Sequence, residues 1–154
     1  MTRLAVFIAT AAYCGYFPIA PGTVGSAAGL VVYLLVWWTK SPFLEVALIA
    51  VTFAAGTWSA THAERFFGGI DPGPVVIDEV MGMLLTLFLH PVGWVGAIGG
   101  FFLFRAFDVI KPYPADRLEQ LPGGLGIMAD DGMAAVYANL VLWGTLSAIG
   151  WLSS

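Results

Sequence analysis

The stretch DDGMAAVYANLVLWGTLSAIGWL (Asp130–Leu152) decides the fold. Two carboxylates are followed by Gly132–Leu152, a run without a charged residue. That run is long enough to cross a bilayer as a helix, which takes about 20 predominantly apolar residues. Five apolar segments precede it: Leu4–Cys14, Val24–Trp38, Phe43–Ala60, Val80–Leu89 and Trp94–Phe107. Phe43–Ala60 also spans by length, and Val24–Trp38 does so with Trp37 and Trp38 stretched into the interface. Leu4–Cys14 is short and reads as an interfacial or half-inserted helix. Val80–Leu89 and Trp94–Phe107, joined by His90-Pro91-Val92-Gly93, read as two crossings or as a re-entrant pair. The pattern predicts an all-α integral membrane helical bundle with about four to six membrane-embedded helices. Trp37, Trp38, Trp58, Trp94, Tyr113 and Trp151 lie near segment ends, as an interfacial belt does.

Composition agrees. The chain is 59% hydrophobic and 10% charged, where a soluble domain carries about 25% charged residues. Its mean hydropathy is +0.87. At 154 residues it is one membrane-embedded domain, 1–154. A net charge of −4 without a basic face excludes a nucleic-acid partner. Cys14 is the sole cysteine, so no intrachain disulfide forms. A thiol phosphatase would need Arg six positions after it, where Ala20 stands. Arg3 followed by Leu4–Tyr13 imitates a signal peptide, but a Pro/Gly-rich loop follows, so this segment is expected to stay in the chain.

Three loops, Gly15–Ser26, His62–Glu79 and Arg105–Asp131, hold nearly all the ionisable residues, including every carboxylate except Glu45. Two apolar segments separate each successive pair. Whether these cross or re-enter, all three loops emerge on one face and can build one site. That face carries Arg65, Arg105, Lys111 and Arg117, against Arg3 and Lys40 on the other. The positive-inside rule therefore predicts that the loops face the cytoplasm.

Within the loops the acids come in pairs. Asp78-Glu79 and Asp130-Asp131 each stand where an apolar helix is expected to start. Capping explains one acid at such a place. Two adjacent acids bordering a bilayer point to function, because ionisable groups there are costly. Arg105, Asp108 and Lys111, spaced by three, share a helix face up to Pro112, either as salt bridges or as cations for an anion beside a ligating carboxylate. Converging carboxylates with a few cations suit Mg²⁺ and a phosphate, since Mg²⁺ takes oxygen ligands and keeps several waters. Without a cation such acids would repel. Thr23 and Ser26, in a Gly-flanked turn opening a helix, can hold an anion. Gly123-Gly124-Leu125-Gly126 can bring backbone close to it. His62 reads as structural or interfacial, His90 as lying on the opposite face, and Asp71 as a turn residue of second rank.

Together GYFPIAPGTVGS (Gly15–Ser26), DPGPVVIDEVMGM (Asp71–Met83) and FRAFDVIKPYPADRLEQLPGGLGIMADD (Phe104–Asp131) resemble the phosphatidylglycerophosphatase A family of bacterial membrane lipid phosphatases. The resemblance covers Gly15 to about Ala138 in order. It implies an inner-membrane protein whose site faces the cytoplasm. It implies Mg²⁺-dependent hydrolysis of phosphatidylglycerophosphate to phosphatidylglycerol and phosphate. Positions matching the family motifs are Asp78, Glu79, Arg105, Asp108, Lys111, Asp130 and Asp131, with Thr23 and Ser26. The roles expected are metal ligation by Asp78, Glu79, Asp130 and Asp131, catalysis by Asp108, Asp130 and Asp131, and phosphate binding by Arg105, Lys111, Thr23 and Ser26. Nothing in the residues fixes the oligomeric state.

Rival lipid enzymes fit less well. Acid-phosphatase-like enzymes need paired catalytic histidines. CDP-alcohol phosphotransferases need an Arg where Val136 stands, and further acids in Gly132–Ser154, which has none. The alternative of another class is an ion-coupled transporter, but its acids usually lie at mid-membrane rather than at segment ends. A non-catalytic subunit docking a partner through these loops is the third reading.

Overall fold

The computed structural model describes residues 2–90 and 93–153, so the Pro91–Val92 part of the expected turn lies outside the described residues. Among the described residues the chain is helical, with no strand. In chain order the helices are α1 (Thr2–Ala9), α2 (Pro21–Trp37), α3 (Pro42–Phe67), α4 (Ile77–Leu87), α5 (Trp94–Ile110), α6 (Ala115–Leu118) and α7 (Gly124–Ser153), with a short 3₁₀ turn at Cys14–Tyr16.

α3 and α7 are long and apolar enough to cross a membrane; α2 is apolar but shorter. Both spans exceed the expected segments. α3 starts at a Ser41 cap with Pro42 in its first turn and runs past Ala60 to Gly68, whose left-handed φ of 77° ends it. α7 starts eight residues before the run Gly132–Leu152, so Asp130 and Asp131 lie inside the helix and do not cap it. Its first turn is held by Thr61 of α3, whose Oγ1 accepts from Gly124 N at 2.9 Å. Gly124 is required there, because a Cβ would lie 2.3 Å from the Thr57 carbonyl oxygen.

α4 is the centre of the bundle. Its 11 residues rise only ~16 Å, about half the ~30 Å hydrocarbon core. Every residue except Leu85 is buried, against α2, α3, α5 and α7. Beyond its two acids the helix is apolar on almost every side, as a core helix is. Tyr33, Met83, Leu87, Phe104, Ala135 and Leu142 form one half of that core; Ala60, Ile77, Met81 and Met128 form part of the other. Asn139 of α7 holds the far end of α4. Its Nδ2 donates to the carbonyls of Leu85, Thr86 and Phe88 at 3.0–3.1 Å, at a helix end where the last carbonyls run out of intrahelical donors.

The outer faces are apolar. Leu35, Val51, Phe102, Leu140 and Trp143 are more than half exposed, a continuous apolar exterior that suits lipid rather than water. Trp38, Trp94 and Tyr113 are among the most exposed aromatics at the helix ends; the Trp151 side chain lies outside the described residues. α1 corrects one expectation. It is too short to cross, and Arg3 shares a cleft with Tyr13 and Phe66, at the end of α3. Arg3 therefore sits at the motif face, leaving Lys40 as the cation of the far face.

Candidate active site

The N-terminal end of α4 places Asp78 and Glu79 in the interior, in its second and third positions. The positive end of the helix dipole favours acids there, but neither caps the helix. Asp131 meets them from the second turn of α7. Asp78, Glu79 and Asp131 each offer an oxygen within 4.8 Å of the other two. All three residues are at most 9% exposed. Asp78 Oδ1, Glu79 Oε2 and Asp131 Oδ2 are buried without a hydrogen-bond partner. Three acids so placed repel one another, and orphaned buried oxygens are rare in native proteins. An all-oxygen, carboxylate-rich donor set is the kind a hard divalent cation takes, so these residues fit Mg²⁺.

A cation and a helix end face the cluster. Arg105, near the end of α5, pairs through Nη1 with Asp108 Oδ2 at 2.5 Å and with Glu79 Oε1 at 3.6 Å. Of the salt bridges expected along this face, the one between Arg105 and Asp108 is present, and Arg105 reaches Glu79 as well. The first turn of α2 comes from the first loop. A Cβ on Gly22 would lie 2.3 Å from Glu79 Oε1 and 3.1 Å from Arg105 Nη1. Thr23 beside it is exposed. Ser26 is fully buried and its hydroxyl donates to the Gly22 carbonyl at 2.8 Å, so it braces the turn that forms the site wall.

Asp130 and Lys111 form a separate unit. Lys111 is not on the helical face of Arg105 and Asp108. α5 ends at Ile110, and Lys111 caps it in the left-handed region at φ 46°. Its Nζ donates to Asp130 Oδ2 at 2.6 Å and to Glu119 Oε1 at 2.9 Å. Asp130 Oδ1 accepts from Asp131 N at 2.9 Å. Both Asp130 oxygens are therefore engaged, and adjacent residues on a helix point in different directions. Burial alone would lower the Lys111 ammonium, but its hydrogen bonds to Asp130 and Glu119 outweigh this and hold it well above the ordinary lysine value. The unit ties the segment after α5 to the turn of α7 that carries Asp131. Tyr137 strengthens the tie, its hydroxyl donating to the Tyr113 carbonyl at 2.7 Å.

Other expected residues lie outside the cluster. Asp71 is exposed, within electrostatic reach of Lys111, Glu119 and Glu64. His62 hydrogen-bonds the Trp58 carbonyl through Nδ1 at 2.8 Å and packs at a tilt against the Trp58 ring. Gly123–Gly126, expected beside phosphate, packs the start of α7 against α3 and the Leu121 carbonyl. Gly22, Glu119 and Asn139 were not singled out by the sequence; Gly22 lay within the first motif, and Asn139 is the lone amide in Gly132–Leu152.

The chain is similar to known phosphatases. The family described as Phosphatidylglycerophosphatase A matches residues 7–146. A Bacteroides thetaiotaomicron protein, provisionally named a phosphatidylinositol-3-phosphatase, is 35% identical over 90% of this chain and 91% of its own. The Phosphatidylglycerophosphatase A of Haemophilus influenzae is 34% identical over 80% and 77%, respectively. That of Escherichia coli is 33% identical over 84% and 76%. No solved structure matches the chain.

Proposed function

Because the chain belongs to the phosphatidylglycerophosphatase A family, we propose that it is a Mg²⁺-dependent phosphoric monoester hydrolase of phosphatidylglycerophosphate. The observation that carries this reading is the set of three buried acids with orphaned oxygens, Asp78, Glu79 and Asp131. These residues would hold the ion. The chemistry Mg²⁺ supplies when bound is polarisation of a phosphoryl oxygen and of water. Arg105 binds the terminal phosphate and offsets charge developing on it. Asp108 orients Arg105 through their ion pair, and stands close enough to Asp131 and Glu79 to take a proton from the attacking water. Water adds to phosphorus, the bond from phosphorus to the glycerol oxygen breaks, and that oxygen leaves as the alcohol with a proton. Thr23 and the first turn of α2 line the phosphate side. Lys111 and Asp130 act through Asp131, by fixing the helix turn that carries it.

The lipid tails stay in the bilayer while the headgroup reaches the motif face. Five of the six Lys and Arg residues lie at that face once Arg3 is counted there, which supports a cytoplasm-facing site in the inner membrane. The test is phosphate release by the purified protein in detergent, with Mg²⁺ and with EDTA. The substrates are phosphatidylglycerophosphate, phosphatidic acid and phosphatidylinositol 3-phosphate. Release from the first, abolished by EDTA, is expected. The name of the Bacteroides relative favours a second reading, and preferential release from phosphatidylinositol 3-phosphate would move the substrate there. No release from any lipid by folded protein refutes the phosphatase reading.

A further inference from the structure

The far face holds a second polar cavity, remote from the carboxylates. It has a volume of about 400 Å³ and is lined by Trp37, Lys40, Pro42, Glu45, Leu89 and His90. It lies where α2 ends, α3 begins and the chain leaves α4. Ligand cavities commonly measure about 300–1,000 Å³.

Among the described residues its charged side chains form no ion pair. His90 is 7% exposed, and its Nε2 is buried without a hydrogen-bond partner among the described residues. Glu45 is half-buried and forms no ion pair among the described residues; its Oε2 accepts one long hydrogen bond, 3.4 Å, from Leu89 N. Lys40 is exposed and likewise unpaired among the described residues. The backbone beneath is fixed, since the Tyr33 hydroxyl donates to the His90 carbonyl at 2.5 Å. Intramembrane ionisable groups without an internal partner point to an external one.

We propose that this cavity binds the headgroup of a zwitterionic phospholipid from the far leaflet. A phosphate oxygen meets Lys40 and the Nε2–H of His90, and the ammonium meets Glu45. Trp37, Pro42 and Leu89 flank the glycerol and the first methylenes. An anionic headgroup without an ammonium would face Glu45 unpaired. A metal ion would leave Lys40 opposed, and an apolar ligand would leave all three polar groups orphaned.

The test uses wild-type protein, Glu45→Gln, His90→Gln and Lys40→Gln, each purified in detergent. Phosphatidylethanolamine, phosphatidylcholine or phosphatidylglycerol is added in mixed micelles, and retained lipid is counted by native mass spectrometry. The wild type is expected to retain either zwitterionic lipid about tenfold better than phosphatidylglycerol. Glu45→Gln is expected to erase that preference, and His90→Gln and Lys40→Gln to weaken retention of the zwitterionic lipids. Lys40→Gln alters an exposed side chain, so it keeps the test valid if a buried variant fails to fold. Equal retention of phosphatidylglycerol by the wild type, or folded variants that hold phosphatidylethanolamine as the wild type does, would overturn the proposal.

Discussion

Replacing Gly22 with alanine separates the chemistry from the fold. The added Cβ would lie 2.3 Å from Glu79 Oε1 and 3.1 and 3.2 Å from the Arg105 nitrogens Nη1 and Nη2. Comfortable heavy-atom contact begins at ~3.5 Å, so the Glu79 carboxylate must retreat by ~1 Å. All three obstructing atoms are the far ends of flexible side chains, so they move and the backbone stays. Alanine also favours a helix over glycine by up to ~1 kcal/mol. Stability should therefore hold or rise. A displacement of ~1 Å among catalytic groups costs on the order of 100-fold, or ~2.7 kcal/mol in the barrier. The expected result is kcat/KM for phosphate release down about 100-fold, with a higher Mg²⁺ concentration at half-maximal rate and an unchanged or higher Tm. Rate and Mg²⁺ titration are read on the same detergent preparation whose unfolding is followed by tryptophan fluorescence. Activity within about threefold of wild type in a stable variant would refute a role for Glu79 at its present position.

Three further outcomes are expected. Asp131→Asn removes one of the three clustered carboxylates and should lower turnover by more than about 1,000-fold. Asp130→Asn leaves that cluster intact and should act mainly on stability, by about 3 kcal/mol for a broken buried pair; Mg²⁺ titration and thermal unfolding of both variants separate the two roles. Lys111 has a raised folded-state pKa. Its contribution to stability is therefore fully present below the unfolded-state value near ~10.4 and is lost as pH rises above it. Tm measured from pH 8 to 12 should fall at the alkaline end in the wild type and less steeply in Lys111→Met; parallel curves would contradict the pairing. Asn139→Ala leaves the Thr86 and Phe88 carbonyls without their Asn139 donor, while Leu85 keeps the Phe88 N–H, and should cost about 1–3 kcal/mol, seen as a lower Tm, while KM for Mg²⁺ stays put; a shifted KM would mean that Asn139 reaches the site.

The membrane bundle, the shared face of the loops and the Asp78-Glu79 pair were legible because apolar run length and the placement of acids are strong local signals. The third motif was less so. Asp130-Asp131 reads as a helix start because Gly123-Gly124 resembles a break, yet the Thr61 hydroxyl of α3 and the absence of a Cβ on Gly124 let α7 begin there. That partner lies 63 positions away, beyond the reach of a local pattern. The spacing of Arg105, Asp108 and Lys111 predicts one face, but the helix ends one residue early and turns Lys111 toward Asp130. The different surroundings of Asp130 and Asp131 follow from that turn. Asn139 carried no signal because a single amide in an apolar run has no pattern; its role exists only against the end of α4.

The shortness and burial of α4 bear on how the chain is made. A segment of 11 residues is a poor candidate for insertion into a bilayer by itself, and its acids make it poorer. Its neighbours must bring it in. One of them is α7, which leaves the ribosome after α1–α6 and supplies both Asp131 and the Asn139 clasp. Nascent chains stalled before α7 emerges should then keep a cysteine introduced into α4 accessible to labelling reagents, with protection arriving only when Asn139 clears the exit tunnel. The phosphatase centre would thus be completed only once α7 has been made, and a chain stalled before it would hold no working hydrolase.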